Sequence, residues 1–90
     1  MNKVELHYVA HITALTGLVK EVLSTEAGTL RELIDELDTR YPGFREVFVD
    51  QRTQQLKLNA MIYYGDEQQL PVTVVDLGQP VRDQATMTFW

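Results

Sequence analysis

Between residues 29 and 43 the sequence carries its one long helical signal, and a single helix in a chain of 90 residues leaves few ways to close a core. Thr29-Leu30-Arg31-Glu32 reads as a capping box. The Thr29 hydroxyl can accept from the Glu32 backbone N–H while the Glu32 carboxylate reaches back to the N–H of Thr29. Behind this cap Leu30, Leu33, Ile34, Leu37 and Tyr41 recur at helical spacings, which stacks them on one stripe, with Arg31, Asp35, Glu36 and Asp38 elsewhere. Pro42-Gly43 ends the pattern. One apolar stripe needs a partner layer, and with no second long helix that layer must be a sheet.

Strand signals lie on both sides of the helix. From Val4 to Ile12 the even positions Val4, Leu6, Tyr8, Ala10 and Ile12 alternate with Glu5, His7 and His11, the period of a half-buried strand. After a turn at Thr16-Gly17, Leu18 to Thr25 predicts a returning strand with Lys20 and Glu21 toward water. Phe44, Val47 and Phe48 predict a short helical segment, within Phe44 to Asp50, that tucks aromatic rings under the main helix. Leu56 to Tyr64 alternates again and predicts a third strand closed by a turn at Gly65-Asp66. Leu70 to Val75 predicts an edge strand, because Pro71 lacks the N–H a central ladder needs. After the loop marked by Gly78 and Pro80, Thr86 to Trp90 predicts a last strand. The expected order is ββαβββ, an α+β mixed sheet with one main helix on one face, and a single domain over residues 1–90.

The formal net charge of -5 opposes phosphate backbones and anionic headgroups, so neither nucleic acid nor a membrane surface is expected as a partner. There is no cysteine, hence no disulfide, thiolate nucleophile or Cys-based metal site. Met1-Asn2-Lys3 runs straight into the alternating pattern without an apolar leader, which predicts a cytoplasmic protein.

This pattern resembles the ubiquitin-like β-grasp, and within it the sulfur-carrier family of the molybdopterin synthase small subunit (MoaD) and ThiS. Val4 to Gly17, ending Ile12-Thr13-Ala14-Leu15-Thr16-Gly17, is similar to that family's first strand and following loop. Thr29-Leu30-Arg31-Glu32-Leu33-Ile34 with Arg40-Tyr41-Pro42-Gly43-Phe44 is similar to its helix and helix exit. Leu56-Lys57-Leu58-Asn59 resembles its third strand, and Leu77 to Phe89 its closing loop and last strand. The resemblance implies a non-catalytic protein that docks onto an E1-like adenylating enzyme or a synthase large subunit. The family acts through a Gly-Gly tail whose carboxylate becomes a thiocarboxylate. This chain reads Met87-Thr88-Phe89-Trp90 at its end, and Arg82-Asp83-Gln84 where the family usually has Asp-Gly-Asp. The expectation is therefore docking, either for sulfur transfer or as a stand-alone interaction or regulatory module that can pair as a homodimer.

Individual residues offer little other chemistry. His7 and His11 share a face of the expected first strand, where two imidazoles can share a metal ion, but solvent-facing strand residues are the default and no metal site is expected. Gly17, Gly28, Gly43, Gly65 and Gly78 are isolated, so no phosphate-binding loop and no cofactor are expected. The acids are scattered, and no catalytic pair stands out. Of Tyr63 and Tyr64 only one can face a given side of a strand, and Tyr64 is expected in the core. If the last strand lies between the first and third, His7, Val9, Met61, Tyr63, Thr88 and Trp90 share the sheet face the helix leaves bare. Exposed Trp, Tyr and Met together are enriched at interfaces, which makes these six the candidate partner-binding residues.

Overall fold

The computed structural model describes residues 1–90. In chain order it has β1 (Asn2–Tyr8), α1 (His11–Thr16), β2 (Lys20–Thr25), α2 (Leu30–Arg40), α3 (Phe44–Phe48), β3 (Ile62–Asp66), β4 (Gln69–Thr73) and β5 (Thr86–Phe89). The five strands make one mixed sheet in the order β2-β1-β5-β3-β4. β1 and β5 run parallel at its centre, and the other neighbours are antiparallel. The last strand thus lies between the first and the third, the arrangement of a β-grasp.

The α2 stripe lies on the sheet as expected: Leu30, Leu33, Ile34 and Leu37 are at most 1% exposed. Beneath it the sheet contributes Val4, Leu6, Tyr8, Ile62, Tyr64, Met87 and Phe89, and α3 adds Phe44 and Phe48, to one continuous core. Phe44 is the hub of the aromatic part, 5.2 Å by ring centroid from both Phe48 and Phe89. The Thr29 hydroxyl accepts from Glu32 N–H at 3.3 Å. The Glu32 carboxylate accepts from the N–H of Gly28 and from the Thr29 hydroxyl, not from the N–H of Thr29 as the capping-box reading had it.

Two strand boundaries differ from the sequence reading by more than two residues. β1 stops at Tyr8, because Ala10 takes φ 57° and turns the chain into α1, whose first turn the Thr13 hydroxyl secures by donating to the Tyr8 carbonyl. Ile12 keeps its burial but reaches the core from a helix, while Ala10 is exposed. Likewise, Leu56 to Ala60 is not strand. β5 offers partners only from Ile62, opposite Phe89, to Gly65, opposite Thr86, so the earlier residues have no ladder to join. Leu56 instead bridges Val49, Ala60 N–H donates to the Lys57 carbonyl in a turn, and Leu58 is fully exposed.

The turn expected at Gly65-Asp66 lies at Glu67-Gln68, and Gly65 and Asp66 belong to β3. Its register shifts against β4 between Tyr64 and Asp66. Glycine suits that position, since a Cβ on Gly65 would meet the backbone nitrogen of Pro71 at 3.0 Å and press β4 outward.

Candidate functional site

A β-strand sends alternate side chains to opposite faces, so the residues between the core positions define the uncovered face by parity. Strand pairing then sets them in rows. Lys20, His7, Thr88, Tyr63 and Thr73 lie level across all five strands. In the next row Val9 N–H donates to the Phe89 carbonyl and Trp90 N–H to the Met61 carbonyl, each at 3.0 Å, which brings Val9, Trp90 and Met61 level with one another. All six candidate residues therefore share one surface. The Trp90 ring meets Tyr63 edge-on at 6.5 Å, the favourable geometry for two aromatic quadrupoles. Trp90 and Met61 remain 44% and 43% exposed, while His7, Val9, Tyr63 and Thr88 are half-buried by their neighbours.

Two further members were missed from sequence. The Tyr8 N–H to Val19 carbonyl bond continues the β1–β2 ladder and sets Leu18 level with Val9. Val22, level with Glu5, is 58% exposed on the same face. Their signal was parity with Lys20, two residues from each. The same parity corrects Glu21, which does not face water. Its carboxylate sits on the helix side and accepts from the hydroxyls of Tyr8 and Tyr41, both at 2.6 Å. Burial, reinforced by that carboxylate, pushes both phenols above their ordinary range.

The face divides chemically. Toward β2 it is mixed, with Lys20 beside His7, the His7 ring 2.5 Å from the Glu5 carboxylate, and Leu18 and Val22 exposed beside them. Toward β3 it is apolar and aromatic. His11 does not join His7: it opens α1 and is exposed, so the two imidazoles do not share a strand face. No three metal-ligating side chains converge.

A cleft of about 410 Å³ lies elsewhere, lined by residues that include Asp38, Gly43, Arg45 and Gln54. Its central polar groups are engaged internally. Asp38 accepts from the N–H groups of Gly43 and Arg45, and the Arg45 guanidinium pairs with Asp35 at 2.9 Å. Every buried side-chain polar atom in the molecule has a partner, so no unsatisfied group is aimed into a cavity. At the far end of the sheet Asp66 accepts from the N–H groups of Gln68 and Gln69 and from the Tyr64 hydroxyl, and these bonds, the Gln68 one foremost, hold its carboxyl below the usual range.

The sheet order and the covering helix together define a ubiquitin-like β-grasp fold. No family profile and no curated protein matches the sequence. Solved structures do match, over nearly the whole chain. SAMP1 from Haloferax volcanii superimposes with a TM-score of 0.75 at 12% identity, covering 99% of this chain and 93% of its own. The molybdopterin converting factor subunit 1 assigned in Pyrococcus furiosus gives 0.70 at 21%, covering 98% and 94%. CysO, solved in complex with BexX from Amycolatopsis orientalis, gives 0.74 at 22%, covering 97% and 92%. The resemblance read from the sequence is borne out at the level of the fold, since a molybdopterin converting factor subunit 1 is among these neighbours. At such identities the likeness is one of fold. No helix is long and apolar enough to cross a membrane.

Proposed function

We propose that this chain is a non-catalytic MoaD/ThiS-like protein that works by docking its uncovered sheet face onto a protein partner. The partner class is an E1-like adenylating enzyme or a synthase large subunit, in sulfur transfer of the molybdopterin or thiamin type. One observation carries the reading. Trp90, Met61 and Tyr63 form a contiguous apolar patch on a face that no element of the chain covers. Large aromatic side chains supply much contact area and lose little conformational entropy on binding, which is why such patches mark interfaces. The chain's solution compartment under this reading is the cytoplasm.

A second reading shares the surface and not the chemistry: an interaction module, able to pair with its own copy, that transfers no sulfur. Its support is the anchoring of Trp90, whose N–H is held by the Met61 carbonyl and whose ring rests against Tyr63, rather than projecting from the sheet.

The two readings separate on incubation with a purified adenylating enzyme, ATP and sulfide, in which ATP activates the terminal carboxyl as an acyl adenylate and sulfide displaces AMP, which leaves with the carboxyl oxygen. Replacement of one oxygen by sulfur, seen in the intact mass, supports the carrier, and docking with an unchanged mass supports the module. Docking itself is read by titration. Trp90 is the only tryptophan, so burial of its ring shifts its emission to shorter wavelength, and Tyr63→Ala weakens binding by about tenfold or more. Full affinity in both Tyr63→Ala and Trp90→Ala would sink the proposal.

A further inference from the structure

The two edges of the sheet are finished differently, and the difference lies in the backbone. In an antiparallel pair, alternate residues turn both N–H and C=O toward the neighbour, and those between turn both away. The Tyr8 N–H to Val19 carbonyl bond, with the β1–β2 register, assigns Val19, Glu21 and Leu23 to the inward set. Lys20, Val22 and Ser24 therefore present their N–H and C=O groups outward from β2, and all three are exposed. On β4 the bond from Val74 N–H to the Ile62 carbonyl puts Pro71 and Thr73 in the outward set. Pro71 has no N–H to offer, and the Gln69 N–H is taken by the Asp66 carboxylate. The β4 edge is thus blunted in the way proteins commonly protect an edge, while the β2 edge is left as an intact template.

We infer that the β2 edge pairs with β2 of a second copy, antiparallel about a two-fold axis at Val22, joining two sheets into one of ten strands. The choice of occupant rests on self-complementarity. The three free positions are symmetric about Val22, so the axis sets Val22 opposite its counterpart and Lys20 opposite Ser24, closing about six backbone hydrogen bonds. No like charges face each other in this register: Lys20 meets Ser24, and Glu21 meets Leu23. Val22, an exposed apolar residue, is covered by its own copy. The edge is short, so the dimer is weak and concentration-dependent. The pairing places both uncovered faces on the same side and covers only their β2 margin at Val22, leaving Trp90, Met61 and Tyr63 open, so it stands apart from the docking reading.

The test is amide hydrogen exchange on the full chain, with sedimentation in parallel, over roughly 10 µM to 1 mM. The Lys20, Val22 and Ser24 amides should exchange fast in dilute solution and become protected as the dimer fills. The Glu21 and Leu23 amides, paired within the monomer, should stay protected throughout, and Thr73 should stay fast. Val22→Lys puts two ammonium groups across the axis and should raise the dissociation constant at least about tenfold with circular dichroism unchanged. Val22→Pro removes an outward N–H that the monomer does not use and should do the same. Exchange at Lys20, Val22 and Ser24 that is independent of concentration overturns the inference. So does a dimer that Trp90→Ala abolishes and Val22→Lys leaves intact.

Discussion

On the helix side of the sheet Leu6, Tyr8, Ile62, Tyr64, Met87 and Phe89 are each at most 2% exposed, whereas on the other side Met61 and Trp90, drawn from the same central strands, keep more than two-fifths of their surface. The contrast is between adjacent residues: Phe89 stacks on Tyr8 and meets Phe44 and Phe48 edge-on, while Trp90 touches Tyr63 in the open. Strand alternation uncouples the two jobs. One face supplies the close-packed interior that selects the fold, and the other is free to carry whatever surface a partner requires.

The contrast breaks if the covered face tolerates truncation. Phe44→Ala removes a fully buried ring that touches Tyr8, Phe48 and Phe89, and should cost about 3–5 kcal/mol in urea unfolding. A loss below about 1 kcal/mol would mean that the aromatic cluster is not a packed core.

A smaller effect sharpens the polar margin of that same face. Tyr8→Phe deletes one of the two hydroxyls on the Glu21 carboxylate and should cost about 1.5–3 kcal/mol near neutral pH, the range for bonds to charged acceptors. Its pH dependence has a definite sign. Burial first, then Glu21, raises the folded-state pKa of Tyr8 above its ordinary value of 10.0. Above that pH the unfolded phenol loses its proton while the folded one keeps it, so the advantage is complete below pH 10 and falls as pH rises further. Melting curves at pH 8 and pH 11 should show the wild type losing more stability than Tyr8→Phe, and an equal loss in both would remove the Tyr8 proton from the account.

The uncovered face is not uniformly permissive either. Gly65→Ala points its methyl to that side, where Pro71 of β4 crosses at 3.0 Å, and should cost about 1–3 kcal/mol by forcing the edge strand outward. The same substitution at an open strand position costs little, so a neutral Gly65→Ala would place β4 farther from β3 than the register shift implies.

What the sequence conveyed and what it withheld follows the same physics. The α2 stripe, its Thr29 cap, the Phe44–Phe48 turn and the central position of β5 were legible, because local periodicity and capping chemistry report on covered faces. The parity of β3 was also right, with Tyr64 inward and Tyr63 outward, although its extent was not. Ladder length belongs to the partner strand: β5 supplies four residues, and nothing within Leu56 to Ala60 reports that. For β1, the alternation ran on through Ile12 because a helical Ile and a strand Ile satisfy the same core, so burial was predicted and backbone was not. The six surface residues were found by topology, once β5 was placed between β1 and β3. Leu18 and Val22 escaped because β2 was read as a whole rather than by alternate residues, an error that also sent Glu21 to the wrong side.

The smallest predicted change in stability is the most telling about function. Trp90→Ala removes the largest side chain on the uncovered face, yet its ring is 44% exposed and its one aromatic contact, with Tyr63, is worth about 0.5–1.5 kcal/mol. The backbone bond from Trp90 N–H to the Met61 carbonyl survives the substitution, so the β3–β5 ladder stays closed. Unfolding free energy should therefore fall by no more than about 1.5 kcal/mol, against about 3–5 kcal/mol for Phe44 across the sheet. A residue so large and so weakly tied to folding is free to bind. If Trp90→Ala instead unfolds the chain as Phe44→Ala does, the ring is holding the fold together, and the uncovered face is a second core rather than a surface kept for a partner.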